Sequence, residues 1–408
     1  MSLLFQLKEP RVWERFCEYK TSLVCPDSLK KELRKFIDDK AYLPVCERIE
    51  KGERFPLPKK SVISKLGTQK KRVVYTYPYA ENMVTKLLTY LLLRKYDGLF
   101  ANNLFSFRPG RTAKDALLSL LRRPGIGRMY SYKVDVSNYF NSIDISLFLP
   151  ELEAALSDPP LFAFLKGLLC EPLALDRGRP VEEQKGIMAG TPLASFFANL
   201  FLRELDLYFE SLGVPYARYS DDIILFANTR EEAVALAETV RTKLSERRLA
   251  VNPAKESFTS PEEGFVFLGF SYKSGVIDVA PASVVKLKQK MRRKTRALAR
   301  WRDRNGLDGE KAAKAFIRVF NRKLFENPAD NELTWTYWFF PVITTAESLR
   351  VIDRYAQDCV RVLISGRRTK ARFNVRYEDM KALGYRSLVH SYYDFSEEER
   401  ERRRHGKE

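Results

Sequence analysis

Val214-Pro215-Tyr216-Ala217-Arg218-Tyr219-Ser220-Asp221-Asp222-Ile223-Ile224-Leu225-Phe226-Ala227 decides how this chain is read. A short run ends at Tyr219, two acidic residues follow, and an apolar run of β-branched and aromatic residues closes the stretch. That order predicts two strands joined by a tight turn. Asp is common in turns, so a surface hairpin by itself accounts for Asp221-Asp222. The three fixed letters of Tyr-x-Asp-Asp also recur by accident in roughly one chain in twenty of this length. A second acid in a matching setting changes the weight. Arg128-Met129-Tyr130-Ser131-Tyr132-Lys133-Val134-Asp135-Val136 is another strand-like run suited to burial, with Asp135 near its end. A lone carboxylate there is costly unless something pairs with it. A divalent metal shared between Asp135 and Asp221 resolves that cost.

The rest of the composition narrows the setting. With 408 residues the chain has room for two or three domains, and 45% hydrophobic with 30% charged residues excludes a disordered chain. Lys and Arg number 71 against 52 Asp and Glu, a formal net charge of +19. Such a balance points to a polyanionic partner, nucleic acid foremost, with a merely solvated basic surface as the alternative. Five scattered cysteines without a Cys-x-x-Cys pair, and only His390 and His405, argue against a zinc site. Reduced thiols in a cytoplasmic protein are the expectation. No apolar run approaches membrane-spanning length, and Met1-Ser2-Leu3-Leu4-Phe5 lacks a basic leader pattern.

Along the chain, residues 1–56 are expected to be helical, with an amphipathic turn set at Ser28–Ile37. Lys70-Lys71-Arg72 opens a β-rich run that Pro78 halts, and an apolar helix covers Glu81 to Tyr96. Ser106-Phe107-Arg108-Pro109-Gly110-Arg111-Thr112 is a basic turn whose Thr112 caps the next helix. Helices run on to Leu169. Lys185-Gly186-Ile187-Met188-Ala189-Gly190-Thr191-Pro192 is a Gly-rich loop feeding one long helix over Leu193–Leu212, with Pro192 early in it. A helix follows at Glu231–Arg248, then a strand at Phe265–Tyr272 with a turn at Lys273–Gly275. A shift in composition near Val279 predicts a boundary. Beyond it come cation-dense helices over 282–325 and 345–365, and a charged, mobile tail at Glu397–Glu408.

Two carboxylates from different strands, without histidines, suit hard oxygen-preferring ions such as Mg²⁺, with Mn²⁺ as a substitute. Two such ions would activate an attacking oxygen and stabilise a leaving one in phosphoryl transfer. Lys70, Lys71, Arg72, Arg108 and Arg111 offer counter-charge for a triphosphate and a backbone. Lys286, Lys290, Arg293 and Lys294 fall within one or two helical turns, a face suited to a phosphate backbone.

In this order the motifs resemble bacterial reverse transcriptases related to group II introns and retrons, over most of the chain from Lys59 to the 390s. Tyr219-Ser220-Asp221-Asp222 is similar to that family's catalytic turn. Asp135-Val136-Ser137-Asn138-Tyr139-Phe140 resembles its first metal-binding motif. The resemblance implies Asp135, Asp221 and Asp222 as catalytic, with Asp135, the Val136 backbone and Asp221 on the metals. It implies Phe140 as the residue that excludes a ribose 2′-hydroxyl, whereas spacing alone makes Phe140 a core residue. Gly190-Thr191-Pro192-Leu193-Ala194-Ser195 resembles the motif beneath the incoming nucleotide and template. Lys71 and Arg72 correspond to the triphosphate-binding strand, and Arg108 and Arg111 to the template-contacting turn. Lys255 resembles a lysine that protonates departing pyrophosphate, with a solvent-facing role as the alternative. Phe267-Leu268-Gly269-Phe270 resembles the primer grip, carried over here as Phe267 and Gly269.

The implied fold is an α+β right hand: an N-terminal helical extension (1–56), fingers and palm (57–279), a helical thumb (280–396) and the tail (397–408). The implied activity is RNA-templated DNA synthesis on a dedicated non-coding RNA, from a DNA or RNA primer and dNTPs. The chain ends, Gly366-Arg367-Arg368-Thr369-Lys370 and Leu383-Gly384-Tyr385-Arg386-Ser387-Leu388-Val389, resemble stand-alone and antiviral-defence members. The retron elements Asn-Ala-x-x-His and Val-Thr-Gly are absent, and two histidines exclude a His-Asn-His nuclease. An RNA-binding maturase or scaffold on the same fold, and an untemplated or protein-primed DNA polymerase, are the competing readings.

Overall fold

The computed structural model describes residues 2–22, 27–64, 71–183, 186–325, 334–367 and 369–405. These residues build two compact units, one of Ser28–Gly264 with the N-terminal helices, the other from Phe265 onward. The strands are β1 (Lys59–Ser64), β2 (Lys71–Thr76), β3 (Tyr130–Asp135), β4 (Leu173–Asp176), β5 (Arg179–Glu182), β6 (Tyr216–Tyr219), β7 (Asp222–Ala227) and β8 (Ser257–Thr259) in the first unit. The second unit holds β9 (Phe265–Phe267), β10 (Phe270–Lys273) and β11 (Val276–Val279). Sheets and helices are segregated rather than alternating, and all strand pairs but β1–β4 are antiparallel, so the chain is of α+β class.

The sheet that positions the site runs β6-β7-β3-β8. Successive side chains on a strand face opposite ways. Tyr132 and Val134 on β3, opposite Leu225 and Ile223 on β7, are therefore on one face and fully buried. They join Phe148, Phe196, Phe201 and Phe209 in the core. The other face carries Lys133, Asp135 and Asp222. A second sheet, β2-β1-β4-β5, contains the basic β2. Its β4–β5 hairpin escaped the sequence reading; Arg177 (φ +51°) and Gly178 (φ +82°) form its two-residue loop.

The amphipathic helix expected at 28–37 spans Asp27–Asp38, and Thr112 caps Ala113–Leu121 through a full capping box with Asp115. β2 starts at Lys71; Lys70 and Lys185 lie outside the described residues. The single helix expected at 193–212 is two, Ala194–Phe201 and Arg203–Ser211, and Pro192 precedes the first of them. Two arginines explain the break, Arg218 buried and Arg247 half-buried. Arg218 donates to the Asn199 carbonyl at 3.2 Å and Arg247 to that of Phe201 at 2.5 Å, so side chains satisfy the terminal carbonyls of the first helix.

In the second unit the strand expected at Phe265–Tyr272 is a hairpin, folded at Leu268-Gly269 with Phe267 opposite Phe270. A leucine at φ +49° is why the sequence conceals the turn. β9–β11 belong with the helices that follow: Thr344 accepts from the Ile277 N–H at 2.9 Å, and Ser348 donates to Asp278 at 2.8 Å. The compact units accordingly divide at Gly264, ahead of the composition shift near Val279. The helix Pro281–Arg304 buries Val284, Leu287, Met291, Thr295 and Leu298. The charged end expected to be mobile continues the helix Leu388–His405, with Arg402 paired to Glu399 and Glu398 one turn back. No helix among the described residues is long and apolar enough to cross a membrane.

Candidate active site

The site begins with register. Pairing of β3 with β7 sets Asp135 directly opposite Asp222, while Asp221 lies in the two-residue loop between β6 and β7. The Val136 N–H donates to the Asp221 carbonyl at 2.9 Å and continues the ladder past Asp135. Only 5% of Asp135 is exposed. Asn252 binds it twice, backbone N–H to backbone carbonyl at 2.8 Å and Nδ2 to Oδ1 at 3.5 Å. Asn252 also caps the short turn Pro253–Lys255, and that turn aims Lys255 Nζ onto Asp135 Oδ2.

Electrostatics separates the two adjacent acids. Burial raises the pKa of Asp221, and the charge of Asp135 is the next cause; Lys255 works against both. Burial also raises Asp222, and Lys133, 4.0 Å away, is the strongest charge acting on it and lowers it again, ahead of the smaller repulsion from Asp221 and Asp135. Asp135 and Asp221 therefore form the repelling pair, and Asp222 is tied to the sheet. Burial disfavours the Lys255 ammonium, yet its hydrogen bond to Asp135 and the attraction of the acids together raise its pKa.

The Gly-rich loop closes one side. Ile187 N–H donates to the Phe140 carbonyl at 2.8 Å, and Tyr75 N–H on β2 donates to the Ala189 carbonyl at 2.8 Å. A Cβ at Gly186 would sit 2.3 Å from the Phe140 carbonyl oxygen, and one at Gly190 would sit 3.0 Å from that of Tyr75. Both glycines also have positive φ, so other residues are excluded twice over. The loop thus ties β2 to the turn after Asp135. Phe140 is half-buried beside Tyr139, partway between a core residue and an open one. Pro192, with Gly190 and Ser195, lines a cleft of about 360 Å³ that also presents Lys86, Arg94 and Phe107. Sequence reading missed Lys86 and Arg94, because each sits within a helix without a motif. Arg94 stacks 3.6 Å over Tyr90.

Arg218 and Asp206 form a second feature missed in the sequence. Both are completely buried, joined by Nε–Oδ1 at 2.8 Å and Nη2–Oδ2 at 2.5 Å. Tyr216 donates to the same carboxylate at 2.9 Å, and Arg218 Nη1 donates to the Ser220 carbonyl at 3.1 Å. The ion pair therefore grips the backbone of the loop that carries Asp221.

The cations divide between solvent and interior. Lys71 and Arg72 are exposed on β2, and neither pairs with a carboxylate among the described residues. Arg108, expected on a template, is instead 6% exposed, its fork held by Asp97 at 2.7 and 2.9 Å and by backbone carbonyls. It braces the turn. Arg111 is half-exposed and binds the Asn102 carbonyl at 2.6 Å. Phe267, expected at a primer, is fully buried within the second unit, whereas Leu268 and Gly269 are half-buried and Val266 is exposed on the same hairpin. Lys286, Lys290, Arg293 and Lys294 lie on the exposed face of their helix, whereas Lys288 sits 5.0 Å over Tyr355 and Arg302 binds the Leu363 carbonyl.

No cluster of three or more His, Cys, Asp and Glu side chains at metal-binding spacing occurs among the described residues. Asp135 and Asp221 nonetheless fit a hard divalent ion. A Mg²⁺ ion commonly takes one or two protein carboxylates and completes its shell with phosphate and water oxygens. Lys255 already supplies one cation to this pair, which is the charge such a site calls for.

A family model described as reverse transcriptase (RNA-dependent DNA polymerase) matches residues 57–272. The nuclear intron maturase 2, mitochondrial, of Arabidopsis thaliana is 26% identical over 108 residues, 26% of this chain and 15% of its own length. The group II intron-encoded protein LtrA of Lactococcus lactis subsp. cremoris is 23% identical over 185 residues, 44% of this chain and 30% of its own. The chain thus spans less than a third of the length of these curated relatives. Among solved structures, apo telomerase from Candida tropicalis aligns with a TM-score of 0.44 at 11% identity over 55% of each chain.

Proposed function

This chain belongs to the reverse transcriptase family, and on that premise we propose that it joins dNTPs to a primer strand on an RNA template. The observation that carries this reading is the Asp135–Asp221 pair, two carboxylates forced together at the end of β3 with Lys255 against them. Asp135, Asp221 and the Val136 carbonyl would hold Mg²⁺, which supplies the charge that activates a primer 3′-hydroxyl and stabilises departing pyrophosphate. The protein's own part is placement. β3 and the β6–β7 loop fix the two carboxylates, and Asp222, through Lys133, fixes the strand beside them. Lys255 Nζ holds a proton within reach of the same oxygens. Exposed Lys71 and Arg72 would meet the triphosphate, and Phe140 would stand against the sugar. The cleft under Pro192, with Lys86 and Arg94, and the exposed face of Lys286, Lys290, Arg293 and Lys294 suit nucleic acid. A dedicated non-coding RNA and a role in antiviral defence rest on the motif resemblance alone.

The test is primer extension on an RNA template with Asp135→Ala and Asp221→Ala. Both should reduce dNTP incorporation to background while RNA binding persists. Near-normal extension by Asp221→Ala would end the catalytic assignment. One relative is named a maturase, so RNA binding without polymerisation is the second reading. Wild-type protein that binds RNA and extends no primer, with either Mg²⁺ or Mn²⁺, would favour it.

A further inference from the structure

A large cavity of the first unit lies apart from the acidic pair, between the N-terminal helices and the helix Pro159–Cys170, and has a volume of about 730 Å³. That size is typical of a site for a drug-sized molecule. Its wall is aromatic: Phe55 meets Tyr77 edge-on at 5.1 Å and Phe164 at 5.5 Å. Tyr77 is the exceptional member. Only 8% of it is exposed, it lines this cavity and the adjoining one of about 310 Å³, and its hydroxyl has no hydrogen-bond partner among the described residues. The oxygen is not sealed from solvent, so it is free to donate to a molecule held in the cavity. The charge at the mouth is also informative. In a chain of net charge +19, this rim carries Glu50, Glu53 and Glu171, with Arg54 bound to Glu171 at 2.8 Å and Lys8 bound to Glu50. With two of the three carboxylates neutralised by these pairs, the rim is weakly acidic where the chain as a whole is strongly basic, so it lacks the cationic surface that phosphate groups call for.

We propose that this cavity binds a small, uncharged or weakly cationic aromatic molecule, whose hydrogen-bond acceptor takes the Tyr77 hydroxyl. The aromatic wall supplies most of the affinity and Tyr77 the orientation. The site has a path to the catalytic unit. Met188 lines both cavities, and its carbonyl accepts from Thr191 N–H at 3.2 Å and Thr191 Oγ at 2.8 Å, in the loop that ties β2 to Phe140. Ligand binding itself does not depend on the polymerase reading.

The experiment titrates 4-phenylpyridine, a biaryl with one ring-nitrogen acceptor, into the nucleic-acid-free full chain and follows saturation-transfer NMR. The wild type should bind saturably with a dissociation constant on the order of a millimolar, as expected for a ligand of this size. Tyr77→Phe, which keeps the ring and removes the donor, should weaken binding about threefold to tenfold. Gly167→Trp should abolish it. Gly167 lies on the exposed side of its helix, and a Cβ added there would meet no atom within 4 Å, so the indole can enter the mouth without disturbing the core. Ala163→Trp, one helical turn earlier and also exposed, serves if the glycine variant is unstable. The proposal is overturned by wild type that shows no saturable binding, by unchanged affinity in Tyr77→Phe, or by binding that survives both tryptophan variants.

Discussion

Ser220-Asp221 and Leu268-Gly269 are both two-residue loops between antiparallel strands, and each puts a non-glycine residue at positive φ, +61° at Ser220 and +49° at Leu268. Their supports differ. The first has no glycine. Its backbone is held by Arg218 on β6, whose charge is in turn balanced by Asp206 on the helix Arg203–Ser211. The second has Gly269 at φ +90°, whose carbonyl accepts from Ala280 N–H at 2.8 Å, and the fully buried pair Phe267 and Phe270, with Phe270 5.0 Å from Phe339. A turn that carries a reacting group is braced by long-range contacts, which set an absolute position. A turn with a glycine at one of its positive-φ positions needs no buried charge beneath it.

The sharpest way to break this comparison is Asp206→Ala. It leaves the Arg218 charge buried without its partner, so the chain should lose about 3–5 kcal/mol in urea denaturation. A double variant, Arg218→Met with Asp206→Leu, separates stability from placement. Apolar residues of similar volume should restore most of the stability, because a buried ion pair contributes little net. Primer extension should stay low, down on the order of 10²-fold, because a displacement of about 1 Å in the Ser220-Asp221 backbone suffices for such a loss. Full activity in a stable double variant would mean that the ion pair only fills space.

Gly269→Ala probes the other loop and should cost about 1–2 kcal/mol. The added Cβ meets Ser283 and Phe339 at ordinary distances of 3.5 Å and 3.7 Å, so the loss is one of backbone conformation. A loss above about 3 kcal/mol would point to a further contact. Leu268→Asn should act in the opposite sense, stabilising by roughly 0.5–1 kcal/mol, since Asn-Gly is the favoured pair for two positive φ angles. Destabilisation would show that the leucine side chain outweighs its strain.

A comparably small effect concerns a local device in neither hairpin. Asp144 caps the helix Ile145–Leu156, and hydrogen bonds from Ser146, with Arg248 and the first backbone N–H groups, lower its pKa to about 2. A depressed folded-state pKa contributes stability above the ordinary value of 3.8, which is lost as pH falls toward 2. Asp144→Ala should therefore cost about 1 kcal/mol at neutral pH, and the gap from wild type should close below pH 4. A gap unchanged at pH 2.5 would assign the effect to helix propensity instead.

Much of this was legible in the chain order of residues. The strand-like run around Val134, the apolar run from Ile223, the capping box at Thr112 and the amphipathic stripe at Ser28–Ile37 are local patterns, and local physics decides them. So were the burial of Asp135 and the two glycines of the loop after Lys185, because a buried acid and a positive φ each restrict residue choice on their own. Cation function was not legible. Arg72 and Arg108 are alike in sequence, each basic and beside a turn or strand, yet one is exposed and the other is consumed by Asp97. The division of Leu193–Leu212 into two helices, the burial of Phe267 and the grip of Arg218 on Ser220 were likewise decided by tertiary structure. Arg218 is only two residues from Ser220, but its place there is set by Asp206 on another element, and a hydrogen-bond fork or a buried ring has no period along the sequence to announce which partner it meets.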